Sequence, residues 1–164
     1  MARFAIQGGI LKPAHEFQVE TWINTEKPLT LSELRGKFVI VHAFQMLCPA
    51  CTYQAIPQTT RLYETFRESD DVVVMGLHTV FEHHDVMTEA ALKVFVKENR
   101  LKFPIGIDMK SENSRLPKTM RAYDMQGTPT LILIDKEGQV RAQHFGVLSD
   151  LDLGIAIGRF LSMP

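Results

Sequence analysis

Phe38-Val39-Ile40-Val41-His42-Ala43-Phe44 runs without alternation into Gln45-Met46-Leu47 and then Cys48-Pro49-Ala50-Cys51, which holds the only two cysteines of a 164-residue chain. An unalternating apolar run of this length suits a strand covered on both faces, as in a parallel sheet. The pattern after it is helical. From Pro49 to Glu68, Tyr53, Ile56, Tyr63 and Phe66 fall near one face with Leu62 beside them, and Pro57 is expected to kink the helix. The two cysteines therefore stand at a strand-to-helix junction.

Working outward, Val72 to Leu77 reads as a second buried strand and His78 to Val86 as a polar loop rich in histidine. Thr88 caps a helix with Leu92, Phe95 and Val96 inward. Phe103 to Ile107 reads as a short strand, and Arg115 to Tyr123 as a short helix. Leu131 to Ile134 and Gln139 to Phe145 flank the turn Asp135 to Gly138, the pattern of an antiparallel hairpin. Ser149 with Asp150 opens a last helix to about Leu161. On the amino-terminal side, Phe17, Val19 and Thr21 alternate with polar residues as a first strand, and residues 1–16 form an irregular arm. The class is α/β, a mixed central sheet flanked by helices, with one domain over 17–164.

Composition bounds the function. The chain is 45% hydrophobic and 23% charged with net charge −1, which argues for a packed globule and against disorder. The lack of basic excess argues against a nucleic-acid partner. No stretch approaches the roughly 18 apolar residues of a membrane span, and Gln7, Gly8, Gly9 and Lys12 interrupt the amino-terminal segment where a signal core would lie. A cytoplasmic protein without a membrane partner is the expectation. In a reducing compartment a close cysteine pair serves catalysis or metal binding more often than structure.

The thiolate is the nucleophile in disulfide exchange, and a free cysteine, with a pKa of about 8.5, is little ionised at neutral pH. A helix amino terminus stabilises an anion through unpaired N–H groups and its dipole. Pro49 suits the first helical position because its missing N–H costs nothing there. Cys48 is expected as the exposed attacker and Cys51, one turn on, as the buried resolver. Two alternatives stand beside this: chance spacing of buried cysteines, and a zinc site using His78 with His83 or His84, for which the compact ligand spacing is absent.

Taken with Gly127-Thr128-Pro129-Thr130 ahead of the strand Leu131 to Ile134, the segment Phe38 to Cys51 resembles the thioredoxin-like superfamily. Gly36-Lys37, Phe103-Pro104, Ala122-Tyr123 and the turn from Asp135 to Val140 look closer to its redoxin branch, which contains TlpA/ResA-like thiol–disulfide oxidoreductases and AhpC/TSA proteins. The resemblance implies a thioredoxin-like fold with an amino-terminal extension. It implies Cys48 as nucleophile, Cys51 as resolving cysteine and Pro129 as the cis-proline facing them, a conformation available to an X-Pro bond at about 0.5–1 kcal/mol. It implies no cofactor beyond a Cys48–Cys51 redox-active disulfide, no metal, and as partners a protein or small-molecule disulfide or thiol, with an upstream reductant if the protein acts as a reductase.

The departures from the pattern carry information. His42 stands six residues before Cys48, where thioredoxins commonly carry a buried acid, and is a candidate for taking the resolving thiol's proton or donating to a thiolate. His78 is a second candidate, as a cation that would lower the Cys48 pKa. Leu47 stands where tryptophan is usual. Phe44, Met46, Leu47, Pro49 and Thr128 are the candidates for a substrate groove. Neither Val41 and Gln45, counted from Cys48, nor Phe44 and Cys48, counted from Cys51, supplies the proline and the threonine or serine of a peroxidatic site. Thiol–disulfide exchange is therefore the expected activity, with a redoxin-type peroxidase as the alternative and a redox-sensing or zinc-binding module as the third.

Overall fold

A computed structural model describes residues 11–163 of the chain. Seven strands form one sheet: β1 (Lys12–Pro13), β2 (Val19–Ile23), β3 (Phe38–Phe44), β4 (Val72–His78), β5 (Ile105–Asp108), β6 (Thr130–Ile134) and β7 (Gln139–Phe145). Their order is β1-β7-β6-β3-β4-β5-β2. β3 lies at the centre, parallel to β4 and antiparallel to β6. β5 continues the parallel part, and β2, β7 and β1 pair antiparallel at the two sides.

Every residue of β3 is buried, because helices or irregular chain cover both faces of the sheet. Val39, Val41 and Ala43 face one side and meet Met120, Tyr123 and Met125, around α3 (Lys118–Ala122), together with Phe17 and Leu34. Phe38 and Ile40 face the other, under α4 (Asp150–Leu161) with Leu153, Ile157 and Phe160. Phe44 and Ile105 form a third cluster with Leu92 and Val96 of α2 (Glu89–Glu98). Alternation in β3 therefore points His42 and Phe44 to the same side as Phe38 and Ile40. A Cβ on Gly76 of β4 would come within 2.9 Å of the Phe103 ring and 3.0 Å of the Phe44 ring. Only glycine leaves space for both aromatics to close over this end of the sheet.

The helix after the cysteines departs from the regular pattern. Pro49 and Ala50 are helical, Cys51–Ala55 is π-helical, and α1 proper is Ile56–Phe66. Pro57 cannot donate to Tyr53, and its ring crowds a carbonyl four residues back. The chain answers with a wider turn, in which the Ile56 amide donates to Cys51 O, rather than a simple kink. That turn also rotates Tyr53 off the expected inward face, leaving it 80% exposed while Ile56 stays buried.

Two further expectations change. The arm is not wholly irregular, because Lys12–Pro13 pairs with Val140 and Gln139 as an edge strand; residues 1–10 of it lie outside the described residues. His78 is not loop but the last residue of β4, in register with Phe44 and Ile107. The caps at Thr88 and Ser149 form as read, accepting from Ala91 N and Asp152 N.

Candidate active site

The carboxyl ends of β3 and β4 and the start of β6 converge on Cys48. Three residues, Gln45 to Leu47, connect β3 to the helical turn. Side chains hold this connection as much as backbone does. Cys48 N donates to Gln45 O at 3.1 Å. Met46 N donates to His78 Nε2 at 3.2 Å. The Thr52 hydroxyl lies 3.1 Å from both Met46 O and Cys48 O, the backward bond available to a threonine in the first turn of a helix.

Cys48 and Cys51 are free thiols, Cys48 half-buried and Cys51 fully buried. Cys51 N donates to Cys48 Sγ at 3.3 Å, so the sulfur takes one of the unpaired amides of the helix start. Cys48 Sγ lies 3.6 Å from Thr128 O, and the Thr128–Pro129 peptide bond is cis. Pro129 is buried, Thr128 half-buried, and Gly146 N donates to Pro129 O at 2.8 Å. Burial, and next the hydrogen bond with Cys48, push the Cys51 thiol up to about 12. The arrangement therefore has one accessible sulfur at a helix start and one protonated sulfur beneath it.

The histidines are both neutral. Burial pushes His42 down to about 4, and does the same to His78. His42 Nδ1 lies 2.6 Å from Thr59 Oγ1 in α1. The single Thr59 proton goes to Ala55 O at 2.7 Å, so Nδ1 must carry the hydrogen and donate. Among the described residues no hydrogen bond joins His42 to either sulfur. His78 Nε2 accepts from an amide and so carries no hydrogen. The cation expected beside Cys48 is not what β4 presents: desolvation makes the charged imidazole too costly there.

The groove candidates divide. Leu47, 55% exposed, and the exposed Pro49 flank Cys48 in sequence and are open to solvent, with Thr128 opposite. Phe44 and Met46 do not line a groove; they are core residues, 1% and 5% exposed, turned down among Ile56, Leu92 and Phe103. Gln45, which in sequence only fails the peroxidatic frame, has a structural part here. It is 1% exposed, accepts from Phe81 N and donates to Glu82, tying the loop after β4 to the cysteine turn. Thr59 is the other residue the sequence did not single out, since nothing in a helix pattern says which threonine will face a strand histidine. Thr52 was findable, as a threonine four residues after Cys48 at a helix start. Among the described residues no group of three or more histidine, cysteine, aspartate or glutamate side chains is placed to hold a metal ion.

A sequence model of the AhpC/TSA family matches residues 10–143. The chain belongs to the AhpC/TSA family. Its fold is thioredoxin-like, in the redoxin branch of that superfamily. A crystal structure described as thioredoxin-like superfamily protein SPOA0173 is 48% identical, with TM-score 0.89 over 93% of this chain and 97% of that one. A thiol-disulfide isomerase from Corynebacterium glutamicum is 45% identical, with TM-score 0.88 over the same shares. Among curated proteins, thiol-disulfide oxidoreductase ResA of Bacillus cereus (strain ZK / E33L) is 32% identical over 120 residues, 73% of this chain. This AhpC/TSA chain spans about three fifths of the length of that relative, 61%. No described helix is long and apolar enough to cross a membrane.

Proposed function

We propose that the protein is a thiol–disulfide oxidoreductase in which Cys48 attacks and Cys51 resolves. The observation that carries this reading is the placement of the Cys48 sulfur. It accepts the Cys51 amide at 3.3 Å and lies beside Thr128 O at 3.6 Å, with the second thiol buried beneath. The names of the relatives, oxidoreductase and isomerase, support the same chemistry.

In the reducing direction the Cys48 thiolate attacks one sulfur of a substrate disulfide. A mixed disulfide forms, the substrate S–S bond breaks and one substrate thiolate leaves. Cys51 then attacks Cys48 Sγ. Its thiol gives up its proton as the Cys48–Cys51 bond forms, and the second substrate thiolate departs and takes up a proton. The substrate gains two electrons, and a dithiol reductant must restore the enzyme. Keeping Cys51 protonated until that moment prevents it from competing for the first attack. The redox-active disulfide is the only cofactor this scheme needs.

The peroxidase reading draws no support from the turn. Gln45 occupies the threonine position of that frame, and the nearby Thr52 hydroxyl is committed to backbone carbonyls. Reduction of insulin or a model disulfide tests the proposal. Cys48→Ser should fall to background, and Cys51→Ser should accumulate a mixed disulfide at Cys48. Wild-type protein that neither reduces disulfides nor forms the 48–51 bond on oxidation would overturn it.

A further inference from the structure

His78 has no place in the sulfur chemistry above, yet it is 1% exposed and sits at the tip of β4 beside the Phe44 ring, 5.2 Å between centroids. Its Nε2 accepts from Met46 N. Met46 is the middle residue of the three-residue connection, and its own carbonyl is one of the two within reach of the Thr52 hydroxyl. Its neighbour Gln45 supplies the carbonyl that accepts from Cys48 N. A chain of contacts thus runs from the end of β4 through the Met46 amide to the cysteine turn. The Met46 amide is buried and has no strand or helix partner, because β3 ends two residues before it. Without an acceptor it would be an orphan, and the turn would shift to find another.

We infer that His78 is a positioning residue for the cysteine turn: its bare Nε2 holds the Met46 amide and so sets where the Cys48 sulfur lies against Thr128. The inference rests on the proposed thiol–disulfide activity for its kinetic readout, and on the tautomer for an independent one. His78 must carry its hydrogen on Nδ1. Glutamine can bring an amide oxygen near the place of Nε2, whereas asparagine reaches only to the place of Nδ1. Rescue should therefore follow reach rather than polarity.

Two measurements on the full chain test this. Long-range proton–nitrogen NMR of the wild type should show His78 protonated on Nδ1 and bare on Nε2. Insulin reduction should then separate the variants. His78→Leu and His78→Asn should lose about tenfold or more in kcat/KM, the cost of a misplaced reacting atom. His78→Gln should stay within about threefold of wild type by the same argument. An Nε2–H tautomer, or His78→Asn as active as His78→Gln, would overturn the inference. Should the leucine and asparagine variants fail to fold, the wild-type tautomer and the Met46 amide shift in His78→Gln still decide it. An inactive wild type would count against the proposed function and leave the tautomer test standing.

Discussion

His42 and His78 are buried in neighbouring strands, both neutral and both carrying the hydrogen on Nδ1, yet they use opposite halves of the ring. His42 uses the hydrogen, donating to Thr59 across the interface between β3 and α1. His78 uses the lone pair, accepting from Met46 at the tip of β4. The first fastens a helix to the sheet; the second fastens the cysteine turn. Burial sets the charge of these two rings, but the partner decides which nitrogen is bare, and with it the task.

Acid should break both regions at once, with the largest effect. In the unfolded chain both imidazoles take a proton below about 6.5, while in the fold they resist it until about 4. Stability is then complete above pH 6.5, is lost as pH falls from 6.5 towards 4, and loses no more from these groups below that. The gap is worth ~3 kcal/mol per histidine. Asp108, whose carboxyl burial pushes up, works in the opposite sense and makes the acid end of the slope shallower. Urea unfolding at steps from pH 7.5 to 4 checks this; a midpoint that does not move would refute the neutral assignment of both rings.

Next comes His42→Ala, which separates the regions. It removes a buried ring and should cost ~3 kcal/mol by cavity and lost hydrogen bond together. The activity per folded molecule should change little, since among the described residues His42 makes no hydrogen bond to either sulfur. A variant that stays stable but loses disulfide reduction would return His42 to the proton-transfer role raised by its position six residues before Cys48.

The smallest effect should follow Thr59→Val. It keeps the shape and removes the acceptor, leaving the His42 Nδ1–H unpaired at a cost of ~1–2 kcal/mol. Thermal unfolding of Thr59→Val, His42→Ala and the double variant forms a cycle. Additive losses would mean that the 2.6 Å contact does not couple β3 to α1.

Much of the fold was legible along the chain because it is written in local periods. β3 and β6 appear as unbroken apolar runs, the hairpin β6–β7 as two strands around Asp135 to Gly138, and α2 and α4 as periodic stretches with their caps. Where the fold departs from the local pattern, contacts beyond that pattern are the cause. Tyr53 left its expected face because Pro57, four residues on, was accommodated by a wider turn. His78 passed for loop because its polarity hid a strand end covered by Phe44 and the cysteine turn. Phe44 and Met46 stand close to Cys48 in sequence, but β3 alternation turns Phe44 to the α2 side, and Met46 beyond the strand end packs into the same cluster with Leu92 and Phe103.

By itself the sequence determined the two thiols, their spacing at a helix start, and the proline that follows Thr128. Those are covalent neighbours or local preferences, and no partner is needed to read them. Only the tertiary structure decided that Thr128 lies against Cys48, that Cys51 is the buried thiol and that two histidines are neutral. Each of these depends on which groups meet across strands and on how much water is excluded. Electrostatic and hydrogen-bonding character is a property of such surroundings, and residues 17 to 80 apart in the chain supply them.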